Sequence, residues 1–140
     1  PHLAAQQEDI TIDLSLVNDC YRQLSMQADI VIVEGAGGFL VPLNGSQTGE
    51  DLAKILGLPV ILVVGMRLGC LNHALLTTGA ISAARLSLVG WIANCIQSPM
   101  VAVTENIATL EQRLQAPLLG ILRFGEQTDG FIAMPKVLVR

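Results

Sequence analysis

The chain has 140 residues, 51% of them hydrophobic and 14% charged, with a formal net charge of −4. That length fits one domain with a real core, and the acidic balance argues against nucleic acid as a main partner. No apolar run is long enough to span a bilayer and no signal peptide opens the chain. Cys20, Cys70 and Cys95 are widely spaced and match neither a zinc site nor a disulfide framework, which points to a reducing, cytoplasmic setting.

In chain order, the first predicted element is a helix over Asp13 to Gln27, with Asp13 as N-cap and Leu14, Val17, Cys20, Tyr21, Leu24 and Met26 supplying a stripe. Ala28 to Glu34 reads as a strand buried on both faces, because Ile30-Val31-Ile32-Val33 is an unbroken β-branched run. Gly35 to Glu50 is a long loop containing Pro42, Asn44-Gly45 and Gly49, and loops of that length in compact domains are often functional. Asp51 to Leu56 is a short helix stopped by Gly57.

Pro59 to Gly65 is a second strand, followed by a turn over Met66 to Gly69. Cys70 to Arg85 is a helix with Leu71, Ala74, Leu75, Thr78 and Ile81 on one side. Leu86 to Ala93 is a third strand closed by Asn94. Thr104 to Leu114 is a helix with Ile107, Leu110 and Leu114 spaced for burial, and Pro117 to Leu122 is a fourth strand. The tail from Phe124 to Arg140 shows a mixed pattern. Strands alternating with helices dictate an α/β fold, a mostly parallel sheet with helices on both faces.

Glu34 stands where the first strand ends and the run Gly35-Ala36-Gly37-Gly38 begins. Open α/β sheets place ligands at the C-terminal ends of their strands, and phosphate-transfer proteins put a magnesium-holding acid at such a point. The usual companion, a G-x-x-x-x-G-K-[ST] loop on an earlier strand, does not occur, and no Lys precedes Glu34. The chain opens on Pro1-His2 without Met. The expectation is one partial domain over residues 1–140, cut at its N-terminal side, with the first strand and the P-loop missing.

The blocks Val33-Glu34-Gly35-Ala36-Gly37-Gly38, Pro59 to Gly65, Leu68 to Leu76, Gly90-Trp91-Ile92-Ala93-Asn94 and Ala116-Pro117-Leu118-Leu119-Gly120 follow in this order. Together they resemble the dethiobiotin synthetase family, whose members are homodimeric P-loop NTPase-like ligases of biotin biosynthesis. The resemblance implies magnesium, ATP as co-substrate, and closure of 7,8-diaminononanoate with carbon dioxide (or bicarbonate) to dethiobiotin. It gives no catalytic residue here, since the family's P-loop Lys, its second catalytic Lys and a metal-binding Asp fall upstream of Pro1. A family Tyr that reaches the partner subunit's substrate is replaced by Asn106. Rival readings are another P-loop relative, either cobyrinate synthase-like or a partitioning ATPase, and a noncatalytic dimerisation or binding module.

Each candidate residue has a plainer reading beside the functional one. Glu34 is a metal ligand or a solvated strand-end acid. Gly35, Ala36, Gly37 and Gly38 form a substrate-facing surface or an ordinary turn. Cys70, Leu71 and Asn72 open a helix whose free amides attract an anion, and the resemblance makes that anion the substrate carboxylate; the plain alternative is an Asn72 cap. Cys70 itself reads as a small packed residue. Asn94 carries a donor and an acceptor that match the edge of adenine, or it is a turn-forming Asn. The resemblance adds Pro117, Leu118, Leu119 and Gly120 as contacts near the base. His73 reads as packed or capping, Trp91 as core, and Arg67 as surface or anion contact.

Overall fold

The computed structural model describes residues 1–96 and 100–125. The chain forms two compact units that divide between Leu58 and Pro59. The predicted features of residues 126–140 lie outside the described residues.

The first unit contains α1 (His2–Gln7), α2 (Leu14–Ser25) and α3 (Gly49–Leu56). Asp13 caps α2 as expected, its Oδ1 accepting from the Ser15 amide at 2.8 Å and from the Ser15 hydroxyl at 2.5 Å. Of the predicted stripe, Leu14 is buried, Val17 and Tyr21 are half-buried, and Cys20, Leu24 and Met26 are exposed. α3 begins two residues earlier than predicted, where the Asp51 carboxylate accepts from the Thr48 amide and hydroxyl at 2.8 and 3.1 Å. It ends at Gly57, which sits in the left-handed region at φ 61°. α1 was not foreseen, although His2–Gln7 is rich in good helix formers.

The predicted strand over Ala28 to Glu34 is absent. Residues 30–35 have no regular secondary structure. Ile30, Ile32 and Val33 are 58%, 84% and 39% exposed, not buried on both faces. A strand owes its existence to the ladder it joins, and among the described residues nothing pairs with this segment. A β-branched run supplies the propensity but not the partner.

The second unit follows the predicted alternation: β1 (Val60–Gly65), α4 (Cys70–Ala83), β2 (Leu88–Asn94), α5 (Val103–Arg113) and β3 (Leu118–Leu122). The three strands form one parallel sheet in the order β1-β2-β3, so the expected α/β class holds. Consecutive right-handed crossovers in that order bring α4 and α5 to the same face, and the two helices touch. The core between them and the sheet contains Val64, Met66, Cys70, Ala74, Trp91, Ala93, Ile107, Leu110 and Leu114.

Trp91 is fully buried there, and its indole N–H finds no acceptor among the described residues. Ile107, Leu110 and Leu114 are buried as their spacing predicted. Gly90 lies so close to β3 that a Cβ there would stand 2.6 Å from Leu119 Cγ.

Candidate nucleotide- and substrate-binding residues

In the second unit the register of the sheet fixes which residues share an edge. Gly65 pairs with Asn94, and Asn94 pairs with Leu122, so all three strands end on one line. The Met66 amide donates to Asn94 O at 2.7 Å and the Cys95 amide to Leu122 O at 2.8 Å. These bonds hold the loops that leave the strands, at the edge where α/β sheets bind ligands. The sequence put Asn94 after the third strand; it is the last residue of β2. Its backbone is engaged, but among the described residues no group hydrogen-bonds its side-chain amide. A turn-forming Asn spends its amide on nearby backbone. Among the described residues Asn94 does not, which leaves both its donor and its acceptor available there.

Pro117, Leu118 and Leu119 are not at that edge. The Trp91 amide donates to Pro117 O at 3.0 Å, and Leu118 pairs with Trp91. Gly120 pairs with Ile92, in mid-strand. The block therefore begins β3, while Asn94 sits beside its last residue. Asn94 pairs with Leu122, the last residue of β3, and Arg123 follows it in the chain. A motif shows that a strand is present; only the register shows which of its ends meets a given neighbour.

The turn after β1 carries the chain to α4 at the same edge. Gly69 is the N-cap, in the left-handed region at φ 91°, and offers no side-chain bond. The Cys70 amide donates to Arg67 O at 3.0 Å and the His73 amide to Gly69 O at 3.1 Å. The Leu71 and Asn72 amides lie between them, in the helix's first turn, where no intrahelical acceptor exists. Asn72 is thus not the cap, and its side chain is exposed. Cys70 is buried as a packed residue, with its Sγ 3.9 Å from Asn106 Oδ1. Asn106 in turn donates through Nδ2 to Ala102 O at 2.7 Å. His73 is exposed, with its ring beside Gly69, and Arg67 is exposed.

In the first unit Glu34 is exposed, and among the described residues it forms no ion pair or hydrogen bond. Gly37 and Gly38 take φ of 89° and 102°, so this turn requires glycine. A Cβ on Gly37 would also stand 2.9 Å from Val41 Cγ2. The loop beyond is ordered by its own bonds: Val41 N donates to Gly38 O at 3.2 Å, Gly49 N to Val41 O at 2.9 Å, and Pro42 bridges Thr48. Asn44, marked by the sequence only as part of a turn, is the hub of this loop, bonded through its side chain to Ile12, Ser46 and Gln47. The Asn-Gly dipeptide at 44–45 was the available signal.

Among the described residues no cluster of three His, Cys, Asp or Glu side chains could hold a metal. A single free carboxylate still fits magnesium bound with a nucleotide, since that ion takes one or two protein carboxylates and fills its shell with phosphate and water. Among the described residues no helix is long and apolar enough to cross a membrane.

A parallel α/β sheet with ligand-facing strand ends is the architecture of nucleotide-binding domains, and residues 1–130 match the family model described as an AAA domain. The chain belongs to that family. It is also similar to proteins named ATP-dependent dethiobiotin synthetase BioD. Identity is 54% over 129 residues with the protein of Nitrosospira multiformis, covering 92% of this chain and 57% of that one. It is 54% over 122 residues with that of Aromatoleum aromaticum, covering 87% and 54%. It is 47% over 135 residues with that of Pseudomonas aeruginosa strain UCBPP-PA14, covering 95% and 59%. The chain thus spans a little over half the length of the curated relatives it matches.

Proposed function

We propose that this chain is part of an ATP-dependent dethiobiotin synthetase, a cytoplasmic homodimeric ligase of biotin biosynthesis. The observation that carries this reading is the likeness to dethiobiotin synthetases along most of the chain. In the proposed reaction one amine of 7,8-diaminononanoate takes up carbon dioxide as a carbamate. The γ-phosphate of ATP activates that carbamate. The second amine then attacks, phosphate leaves, and the cyclic urea of dethiobiotin results with ADP.

The residues take these parts. Glu34 would supply one carboxylate oxygen to magnesium bound with ATP, an ion that would neutralise developing phosphate charge. Asn94 would read the adenine edge with its unspent amide. The Gly35 to Gly38 turn would let backbone approach the diamine closely. The Leu71 and Asn72 amides at the start of α4 would hold the substrate carboxylate, with a second protomer supplying the rest of that site. The strand register favours the neighbours of Asn94 over the Pro117 to Gly120 block for adenine contact. The phosphate-cradling loop and its Lys would come from a segment preceding Pro1.

The test is dethiobiotin formation from diaminononanoate, bicarbonate and ATP by the protein expressed from its full reading frame. Turnover is expected, and Glu34→Gln should lower kcat by about 100-fold or more, the scale of losing one electrostatic contact to the reacting groups. Residues 1–140 alone should be inactive. A folded full-length protein without turnover would defeat the proposal.

A further inference from the structure

We propose that Asn44 is a positioning residue: it fixes the Gly35 to Gly38 turn in the shape that receives the diamine. The proposal rests on the reading of that turn as substrate-facing. Asn44 spends its whole hydrogen-bonding capacity inside the first unit. Its Nδ2 donates to Ile12 O at 3.0 Å and to Gln47 Oε1 at 2.8 Å. Its Oδ1 accepts from the Ser46 amide at 3.1 Å and the Gln47 amide at 2.9 Å. Two donors and two lone pairs are all that a side-chain amide has. The partners also fix its orientation, because backbone amides must face oxygen and the Ile12 carbonyl must face nitrogen.

These bonds reach the glycine turn through a short ladder. The Ile12 contact ties the loop tip to the residue before the α2 cap. Gln47, held by Asn44, accepts through its carbonyl from the Leu43 amide at 2.8 Å. That pairing sets Pro42 opposite Thr48 and Gly49 N on Val41 O, and Val41 N then closes on Gly38 O. Gly49 adds a steric stop, since a Cβ there would stand 2.8 Å from Phe39 O. Without Asn44, the Ser46 and Gln47 amides lose their acceptor, and the loop loses its link to residue 12. Glycine at positions 35, 37 and 38 leaves the turn little rigidity of its own, so its shape depends on this support.

The consequence is selective. A loosened turn must be ordered each time the diamine binds, which weakens capture of the diamine and leaves the nucleotide contacts of the second unit alone. The experiment compares full-length wild type, Asn44→Ala and Asn44→Asp by steady-state kinetics in each substrate and by amide hydrogen exchange. Asn44→Ala should raise KM for the diamine about tenfold, the scale of losing one or two net hydrogen bonds, with a clearly smaller rise in KM for ATP, which would touch this segment only through Glu34. Asn44→Asp keeps the acceptors for Ser46 and Gln47 but sets a carboxylate oxygen against the Ile12 carbonyl and Gln47 Oε1, so it should also raise KM for the diamine; it decides the matter if the Ala variant does not fold.

Exchange should quicken over residues 38–49 while α2 and α3 stay protected. An unchanged diamine KM, an equal rise in both KM values, or unchanged exchange over 38–49 would overturn the proposal. If wild type makes no dethiobiotin, the functional reading falls, and the exchange result alone decides whether Asn44 holds the turn.

Discussion

Asp13 and Asp51 are carboxylates whose ionised forms the fold prefers. Bonds from the Ser15 hydroxyl and amide hold Asp13 below the ordinary value of 3.8, and bonds from the Thr48 amide and hydroxyl do the same for Asp51. A folded-state value below the unfolded one means that the unfolded chain binds more protons in the interval between them. Stability from these caps is therefore complete above about pH 4 and is lost as pH falls through the lower folded values. Helix signal in the first unit should fade on acidification below pH 4, followed by circular dichroism and amide exchange. Asp13→Asn, which keeps a good cap but cannot titrate, should flatten the part of that fade due to α2. The Asp13 cap was legible in the sequence because a cap needs only the next few residues, whereas the Thr48–Asp51 cap was not read and α3 starts two residues before the expected Asp51. Asn94 was legible as a position, but its unspent amide was not, since that depends on what the rest of the molecule places beside it.

The elements of the second unit were read to within a few residues because each is announced locally. Val60–Gly65 is a dense apolar run, and α5 with its C-cap carries Ile107, Leu110 and Leu114 at helical spacing. Leu110 is fully buried in the core between α5 and the sheet. Leu110→Ala removes that packing and leaves a cavity, so it should cost about 2–5 kcal/mol in urea unfolding. A change under about 1 kcal/mol would mean that this core is not packed as described. Residues 28–34 were misread for the opposite reason. Their composition resembles that of β1, but β1 has β2 to pair with, and residues 28–34 have no partner among those described. The Pro117 to Gly120 block lies at the start of β3 and not beside Asn94, a stagger that the order of strands in the sequence does not give. Helices were easier than strands here because a helix satisfies its own backbone, whereas a strand needs another segment to do so.

At the scale of the whole molecule, apolar surface is the dominant physical property of these residues. Ile32, Leu68 and Val101 are 84%, 97% and 88% exposed, and β1 and β3 are edges of the sheet among the described residues. Exposed apolar groups and open strand edges favour association, and a net charge of −4 opposes it only weakly. Residues 1–140 expressed alone should bind a hydrophobic dye and scatter light increasingly with concentration and salt. A clear, monomeric, dye-free solution at high concentration would contradict that expectation. Gly90 shows how little slack the sheet itself has. The missing side chain at position 90 and the bulky one at 119 act as notch and tooth, so neither can be altered without regard to the other. Their substitution energies should fail to add, and any redesign of this ladder has to treat the two positions as a single variable.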